Sequence, residues 1–409
     1  LPHAIAQELI FSQPWIKSFL DHHFLHRRKV TSTIKELPAI EVVQERMNAI
    51  AATQSKYKAD ETISADKTAV LYGLQPKNQY VPTGATRGEA PDSDEKSRYT
   101  SMQAGDGDGD MLPSFNVIKC FSKKTDLTGT RVLKVLHGSD GFTSAKGWDM
   151  FRWTRTLTLL DKKKVPFTKV YSRPLLKHRE SGIVITIQHK AWMDCAGICM
   201  WVDVVVGPHF AAKRKKGLII WDNCGSHCMQ CVKEVIAEWG LEEEKLPVNM
   251  TGKLQIMDLV VNGPYKAGIR RRRCHALYEY LQSWKIRRLQ ELLKPREERE
   301  LPRFSPPKPD LRAGLLNSFA VERELFTQAQ FKLAVRRSFV AAGQIPRSDG
   351  TYVRYTSHTT SRISACLIHL GKVEEAAFSA CASTADVEAC EDEDEPATDD
   401  EVEDEATEE

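Results

Sequence analysis

Apolar positions recur with two different periods along the chain. Between residues 41 and 56, Val43, Met47, Ile50 and Ala51 share one side of a 3.6-residue repeat, which predicts an amphipathic helix from Glu41 to Lys56. Further upstream, Trp15, Phe19 and Leu20 give a shorter helical face behind Pro14, a residue suited to a first helical turn. From residue 61 the pattern changes. Thr68–Tyr72, Arg98–Ala104 and Leu112–Cys120 are rich in β-branched and aromatic residues and predict strands. Ile183–Gln188 predicts another. Leu218–Trp221, a short apolar run between Gly217 and Gly225, reads as a buried strand. Ala191–Val206 predicts a helix with Trp192, Cys199, Met200 and Val206 inward. After Asp222 a helix runs through Trp239, with Val232, Val235, Ile236 and Trp239 on one face and Gly240 placed to end it. A short strand near Leu246–Val248 follows. A long basic helix then extends from Tyr265 to about Leu293, its apolar side formed by Leu277, Tyr280, Leu281 and Trp284. Pro302–Pro309 is a linker, and a small helical unit with Phe331, Val335 and Phe339 comes after it. Residues 121–180 follow neither period.

Strands and helices mixed in this way predict an α/β chain, and 409 residues suffice for two or three units. No apolar run approaches the roughly 20 residues of a membrane span, so no membrane partner is expected. Leu1 stands where an initiator Met would, which suggests that residues precede it. Ten Cys in a chain of this length do not suggest a disulfide framework. Net charge changes the picture more. The total is +3, yet residues 391–409 hold thirteen acidic and no basic side chains, leaving +16 on residues 1–390. A basic body of this kind predicts a polyanionic partner, and 387–409 is too acidic and too poor in apolar groups to fold.

The basic residues cluster. Arg27, Arg28 and Lys29 leave the first helix, Lys213, Arg214, Lys215 and Lys216 precede the strand at Leu218, and Arg270, Arg271, Arg272 and Arg273 lie on the long helix. Dense charge with little variety in hydrogen bonding suits contacts to phosphates. Carboxylates recur in similar settings: Asp66 within a strand, Asp222 where a strand runs out, Asp258 at a helix start. A strand-end carboxylate is costly to bury unless a cleft or a cation receives it. Asp222, Asn223 and Ser226 would equally suit helix capping, so two readings stay open there. Cys224, Cys228 and Cys231 are spaced C-x3-C-x2-C, which admits an iron–sulfur cluster, or zinc with His227. Asp106, Asp108 and Asp110 imitate the start of a calcium loop. Met111 and Val117 stand where that loop needs Gly and Glu, so a hairpin turn is the stronger reading.

Five pieces taken in order resemble the DDE superfamily of endonucleases, in the pogo-like branch of mariner-type transposases. They are Ala65-Asp-Lys-Thr-Ala-Val with Pro76; Asp110-Met-Leu-Pro with Val117-Ile-Lys; Lys190-Ala-Trp-Met; Ile220-Trp-Asp-Asn-x-x-x-His227; and Gln255-x-Met-Asp-Leu-Val-Val-Asn-Gly-Pro-Tyr-Lys266. Trp15-Ile-Lys-Ser-Phe-Leu with Arg27 and Arg28 resembles the end of a centromere-protein-B-type helix-turn-helix, and Phe331–Gly343 resembles the family's C-terminal helical segment. The resemblance implies an RNase H-like mixed sheet flanked by helices, with a helical N-terminal remnant and a helical C-terminal segment. It implies the divisions 1–40 for DNA binding, 41–60 for a linker helix, 61–295 for catalysis and 310–360 for the last helices. By motif match Asp66, Asp222 and Asp258 become ligands of Mg2+ or Mn2+, the reaction is strand cleavage and transfer on DNA, and the location is the nucleus. A homodimer is admitted. Ile256 stands where the family usually has Pro, so a DNA-binding protein without catalysis is the alternative.

Overall fold

The computed structural model describes residues 37–72, 98–119, 147–160, 165–305 and 311–367. The helix-turn-helix remnant with Arg27, Arg28 and Lys29 and the acidic tail 387–409 lie outside the described residues. Eight strands form one sheet in the order β4-β5-β6-β3-β2-β1-β7-β8. They are β1 (Thr62–Leu71), β2 (Arg98–Asp106), β3 (Phe115–Lys119), β4 (Trp148–Leu160), β5 (Pro166–His178), β6 (Val184–Gln188), β7 (Leu218–Trp221) and β8 (Glu242–Lys245). β1, β2 and β3 pair antiparallel, whereas β7 and β8 run parallel to β1. A three-strand meander extended by two parallel strands on the β1 side makes this an RNase H-like mixed sheet. β6 adds on parallel to β3, and β5 and β4 continue as a long antiparallel pair.

Alternation along β1 sends its two faces to different neighbours. Ile63 and Ala65 enter a core shared with Met102, Phe115 and Val117 and with the helices α2 (Cys195–Lys213) and α3 (Gln230–Glu238). Ser64 and Asp66 face the other way. That face is covered by a turn at Met257–Val261 and by the start of α5 (Asn262–Leu292), with α6 (Leu311–Leu325) and α7 (Ala329–Ala341) packed beyond. The helix α1 (Ile40–Gln54) closes the same side over β7, burying Val43, Met47 and Ile50 against Leu218 and Ile220. Between β8 and α5 lies the one-turn helix α4 (Thr251–Leu254).

Two π-helical turns share a cause. Val202–Val206 lies inside α2 just before Pro208, and Met257–Val261 opens α5 just before Pro264. Proline has no N–H to offer the carbonyl four residues back, so the ladder widens locally. In α2 the carbonyl left over, that of Val204, accepts instead from Lys177 Nζ at 3.2 Å. α2 is long and apolar enough to cross a membrane by length and composition, which the sequence pattern had concealed, and most of it is buried in the core. Asp194 starts it, its side chain accepting from the Gly197 N–H at 2.8 Å while pairing with Arg173.

Other departures from the sequence reading have physical reasons. Trp192, expected inward, precedes the helix and is 40% exposed. The strand expected at Leu246–Val248 lies at Glu242–Lys245, where charge is satisfied pairwise instead of excluded: Arg46 bonds Glu244 at 2.5 Å and Trp221 bonds Glu243 at 2.9 Å. In the turn after β2, Asp106 Oδ1 accepts the N–H groups of Asp108 and Asp110, and Asp110 pairs with Lys332 at 2.5 Å. Those carboxylates serve a turn, as expected. Gly109 there has φ +92°, and a Cβ would fall 2.0 Å from the Lys332 carbonyl oxygen, so glycine is required.

Candidate active site

The site is assembled by strand register. β1 and β7 pair as Thr62 with Leu218, Ile63 with Ile219 and Ser64 with Ile220. The same register carried two residues further sets Asp222 beside Asp66, on strands about 4.8 Å apart. Both carboxylates therefore leave the sheet on the face that carries the Met257–Val261 turn. Asp258 is the second residue of that turn, and its carboxyl group hydrogen-bonds that of Asp66. Burial first, and then the charges of Asp258 and Asp222, hold the Asp66 carboxyl well above the usual carboxylate range. Asn262, the first residue of α5, donates to Asp258 Oδ1 at 2.8 Å.

Gln255 fixes the third segment to the first. It is fully buried; its Nε2 donates to the Ala65 carbonyl at 2.9 Å and its Oε1 accepts from Ser64 Oγ at 3.1 Å. These two bonds bracket the residue before Asp66 and hold the turn bearing Asp258 against β1.

Asp222 is held differently. Its Oδ1 accepts from His227 Nδ1 at 2.6 Å and from the Cys224 N–H at 3.1 Å. Burial lowers the pKa of His227, so its ring is neutral and carries the proton on the nitrogen facing Asp222. Burial raises the Asp222 pKa, but the bonds from His227 and Cys224 and the charge of Lys67 outweigh it and bring the group below its usual value. The His227 ring stacks on Trp221, centroids 4.5 Å apart and planes 5° apart. Lys245 donates to the His227 carbonyl at 2.8 Å and sits 4.3 Å from the Trp221 ring centre. Lys67 Nζ lies 2.9 Å from Cys224 Sγ. Asp222 thus does bond the next turn in the manner of a cap, with its face toward Asp66 set by register.

Of the three sequence-predicted carboxylates, Asp66 and Asp258 are in contact, and Asp222, in register with Asp66, is turned onto His227. Among the described residues no group of three or more His, Cys, Asp or Glu side chains is placed so that it could hold a metal ion. The donor set still suits a hard divalent cation: three carboxylates, with repulsion around buried Asp66 that a cation would cancel. The cysteine spacing does not survive folding. Cys224 faces Lys67, Cys228 is exposed, and Cys231 is buried beside Cys195 and Cys199, with Cys199 Sγ 3.7 Å from its carbonyl oxygen. Three thiols aimed in different directions hold neither cluster nor zinc.

The basic runs also separate. Lys213 and Lys215 lie at the start of β7, the end away from Asp222. Lys213 is 3.8 Å from Asp106, and Lys215 pairs with Asp60 and lies 3.8 Å from Glu61. Arg214 takes the left-handed conformation that ends α2, and Lys216 completes the link. On α5, Arg271 is exposed, Arg272 pairs with Glu324, Arg270 is half-buried and Arg273 is buried, because successive helical residues point about 100° apart. Gln255, Lys67 and Lys245 were not assigned roles by the sequence reading. Gln255 and Lys67 stand inside quoted motifs; Lys245, in a strand of glutamates, gave no signal.

Residues 163–292 match the family model of the DDE superfamily endonucleases. The matched stretch contains Asp222, His227, Gln255 and Asp258, and Asp66 lies upstream of it. No curated protein matches the chain. Among solved structures, the chain is similar to the Mos1 transposase paired-end complex with left transposon end (TM-score 0.32, 11% identity, covering 79% of this chain and 72% of that one). It is also similar to a pre-cleavage Mos1 transpososome (TM-score 0.29, 13% identity, 86% and 74% covered). A third is the catalytic domain of Mos1 mariner transposase (TM-score 0.24, 10% identity, 74% and 98% covered).

Proposed function

We propose that the protein is a metal-dependent DNA endonuclease and strand transferase of the pogo-like transposase type. The observation that carries this reading is Asp66, within β1, in contact with Asp258 and in register with Asp222, just past the end of β7 in an RNase H-like sheet. Asp66, Asp258 and Asp222 would hold Mg2+ or Mn2+. Bound there, the ion would activate a water or a DNA 3′-hydroxyl and stabilise the leaving oxygen. A cation held there would cancel the repulsion from Asp258 and Asp222 that raises the Asp66 carboxyl. His227 and the Cys224 N–H keep one Asp222 oxygen occupied and so aim the other. Gln255 ties the turn bearing Asp258 to β1 through Ser64 and the Ala65 carbonyl.

DNA is the proposed partner, held by backbone contacts from Arg271, with Arg270 and Arg272 beside it, and, as expected from the sequence, from Lys213–Lys216 and from Arg27, Arg28 and Lys29, whereas Arg273 is buried. A DNA partner carries with it a nuclear location, and pairing of two DNA ends calls for a homodimer. The second reading, DNA binding without cleavage, has one observation in its favour, the turning of Asp222 onto His227. Nicking of supercoiled plasmid separates the two. With Mg2+ or Mn2+ the wild type should nick, and Asp222→Asn should lose cleavage by about three orders of magnitude while keeping DNA binding. Equal nicking by both proteins would defeat the role of Asp222. Binding without nicking by the wild type would establish the second reading.

A further inference from the structure

On the outer side of α7 the fold leaves an open pocket of about 540 Å³. Arg336 and Arg337 of α7, Arg347 in the turn after it and Arg362 on the helical residues 359–367 surround the apolar side chains of Leu333 and Val340. All four arginines are exposed, and Leu333, 45% exposed, lies uncovered among them. Their charges are poorly answered. Arg336 is 3.9 Å from Asp108, and Arg362 donates to the Thr356 hydroxyl at 3.2 Å. The side chains of Arg337 and Arg347 make no hydrogen bond or ion pair to a described residue. Asp349 feels the charge of Arg347, but its carboxylate is hydrogen-bonded by the Thr351 N–H at 2.8 Å and hydroxyl at 2.6 Å.

Four guanidinium groups around an apolar floor select a ligand with two parts. Guanidinium forks match phosphate oxygens and stack on planar rings. The apolar floor contributes nothing to a bare anion but suits the face of a base. The volume lies within the range of roughly 300–1,000 Å³ that small-molecule pockets occupy. We propose that this pocket is a binding site for a nucleotide unit, phosphate on the arginines and base on the Leu333–Val340 floor. The site is separate from the carboxylates: Lys332 and Arg336 tie α7 to the Asp108–Asp110 turn, at the end of β1 and β2 away from Asp222. The nucleotide is either free or part of a strand, and the test distinguishes them.

The full-length chain is titrated by fluorescence polarisation with a ribose-labelled ATP analogue and with an end-labelled short single strand. Saturable binding is expected, weakened by about tenfold or more in Arg337→Glu/Arg347→Glu and unchanged in Asp222→Asn. Neither arginine bonds a described residue, so the double variant should melt as the wild type does, which its circular dichroism melting curve verifies. Arginine-dependent binding of ATP supports a free nucleotide; of the strand alone, a nucleotide within nucleic acid. Binding of both probes that is absent, or untouched by the double variant, overturns the proposal. So does competition by pyrophosphate or by a glutamate-rich peptide as effective as that by ATP. No readout depends on cleavage, so failure here and failure of the endonuclease reading are distinguishable.

Discussion

The two ends of β7 gather charge in opposite ways. At the start of β7, Lys213 and Lys215 stand against Asp106, Asp60 and Glu61, so each acid has a cation within 4 Å. At the far end, Asp66, Asp222 and Asp258 converge, and Asp66 is pressed against a like group. In the first arrangement opposite charges stand next to one another. The second costs stability in the absence of a cation, and a fold keeps such a cost where it has a use.

The contrast can be sharpened by attacking what holds the far end together. Gln255→Leu removes two buried bonds and leaves the Ser64 hydroxyl and the Ala65 carbonyl without their partner. The expected loss is about 2–4 kcal/mol of stability, read by urea unfolding. Cleavage should fall by about a hundredfold or more at temperatures where the variant is folded, because Asp258 is no longer fixed against β1. Full activity in a folded Gln255→Leu protein would show that the turn places itself.

A buried acid away from both ends gives a smaller, pH-dependent effect. Glu322 accepts from Ser114 Oγ at 2.8 Å and Tyr265 at 3.2 Å, and burial pushes its pKa up to about 7. The folded state therefore holds this proton more tightly than the unfolded chain. Its contribution is fully present below the ordinary glutamate range, near pH 4.5, and is lost as pH rises to about 7, a fall of about 3 kcal/mol. Glu322→Gln should flatten that part of the stability profile and make the protein more stable than wild type at pH 8. Parallel profiles would mean that Glu322 is already ionised. The smallest effect belongs to the paired end: Lys215→Met should cost no more than about 1 kcal/mol and leave Mn2+ binding unchanged. A large loss of Mn2+ binding there would erase the contrast between the two ends.

Much of this was legible in the sequence where one period dominates. β6 and β7, the turn after β2, the long helix and the three aspartates follow from local pattern and order of motifs. β4 and β5 did not, because Met150 and Phe151 are exposed on a strand whose buried residues are Trp148, Trp153, Leu157 and Leu159, so neither face is uniform. β8 is three glutamates and a lysine, satisfied by long-range partners that no local pattern announces. The cysteine spacing misled because spacing along a chain does not fix direction; a 3₁₀ turn at Gly225–His227 sends Cys224 and Cys231 apart. His227 was legible as polar, but its hold on Asp222 needed the fold.

The central claim, that the far end is a cation site, is tested most directly by Mn2+ binding followed by electron paramagnetic resonance, with no DNA present. Wild type should bind Mn2+ saturably and be stabilised by it, by about 2.7 kcal/mol at a hundredfold excess over the dissociation constant. Asp66→Asn and Asp258→Asn should lose the bound signal while remaining folded, whereas Lys215→Met should keep it. Mn2+ binding that is unaffected by Asp66→Asn and Asp258→Asn, or absent from the wild type, would contradict the account.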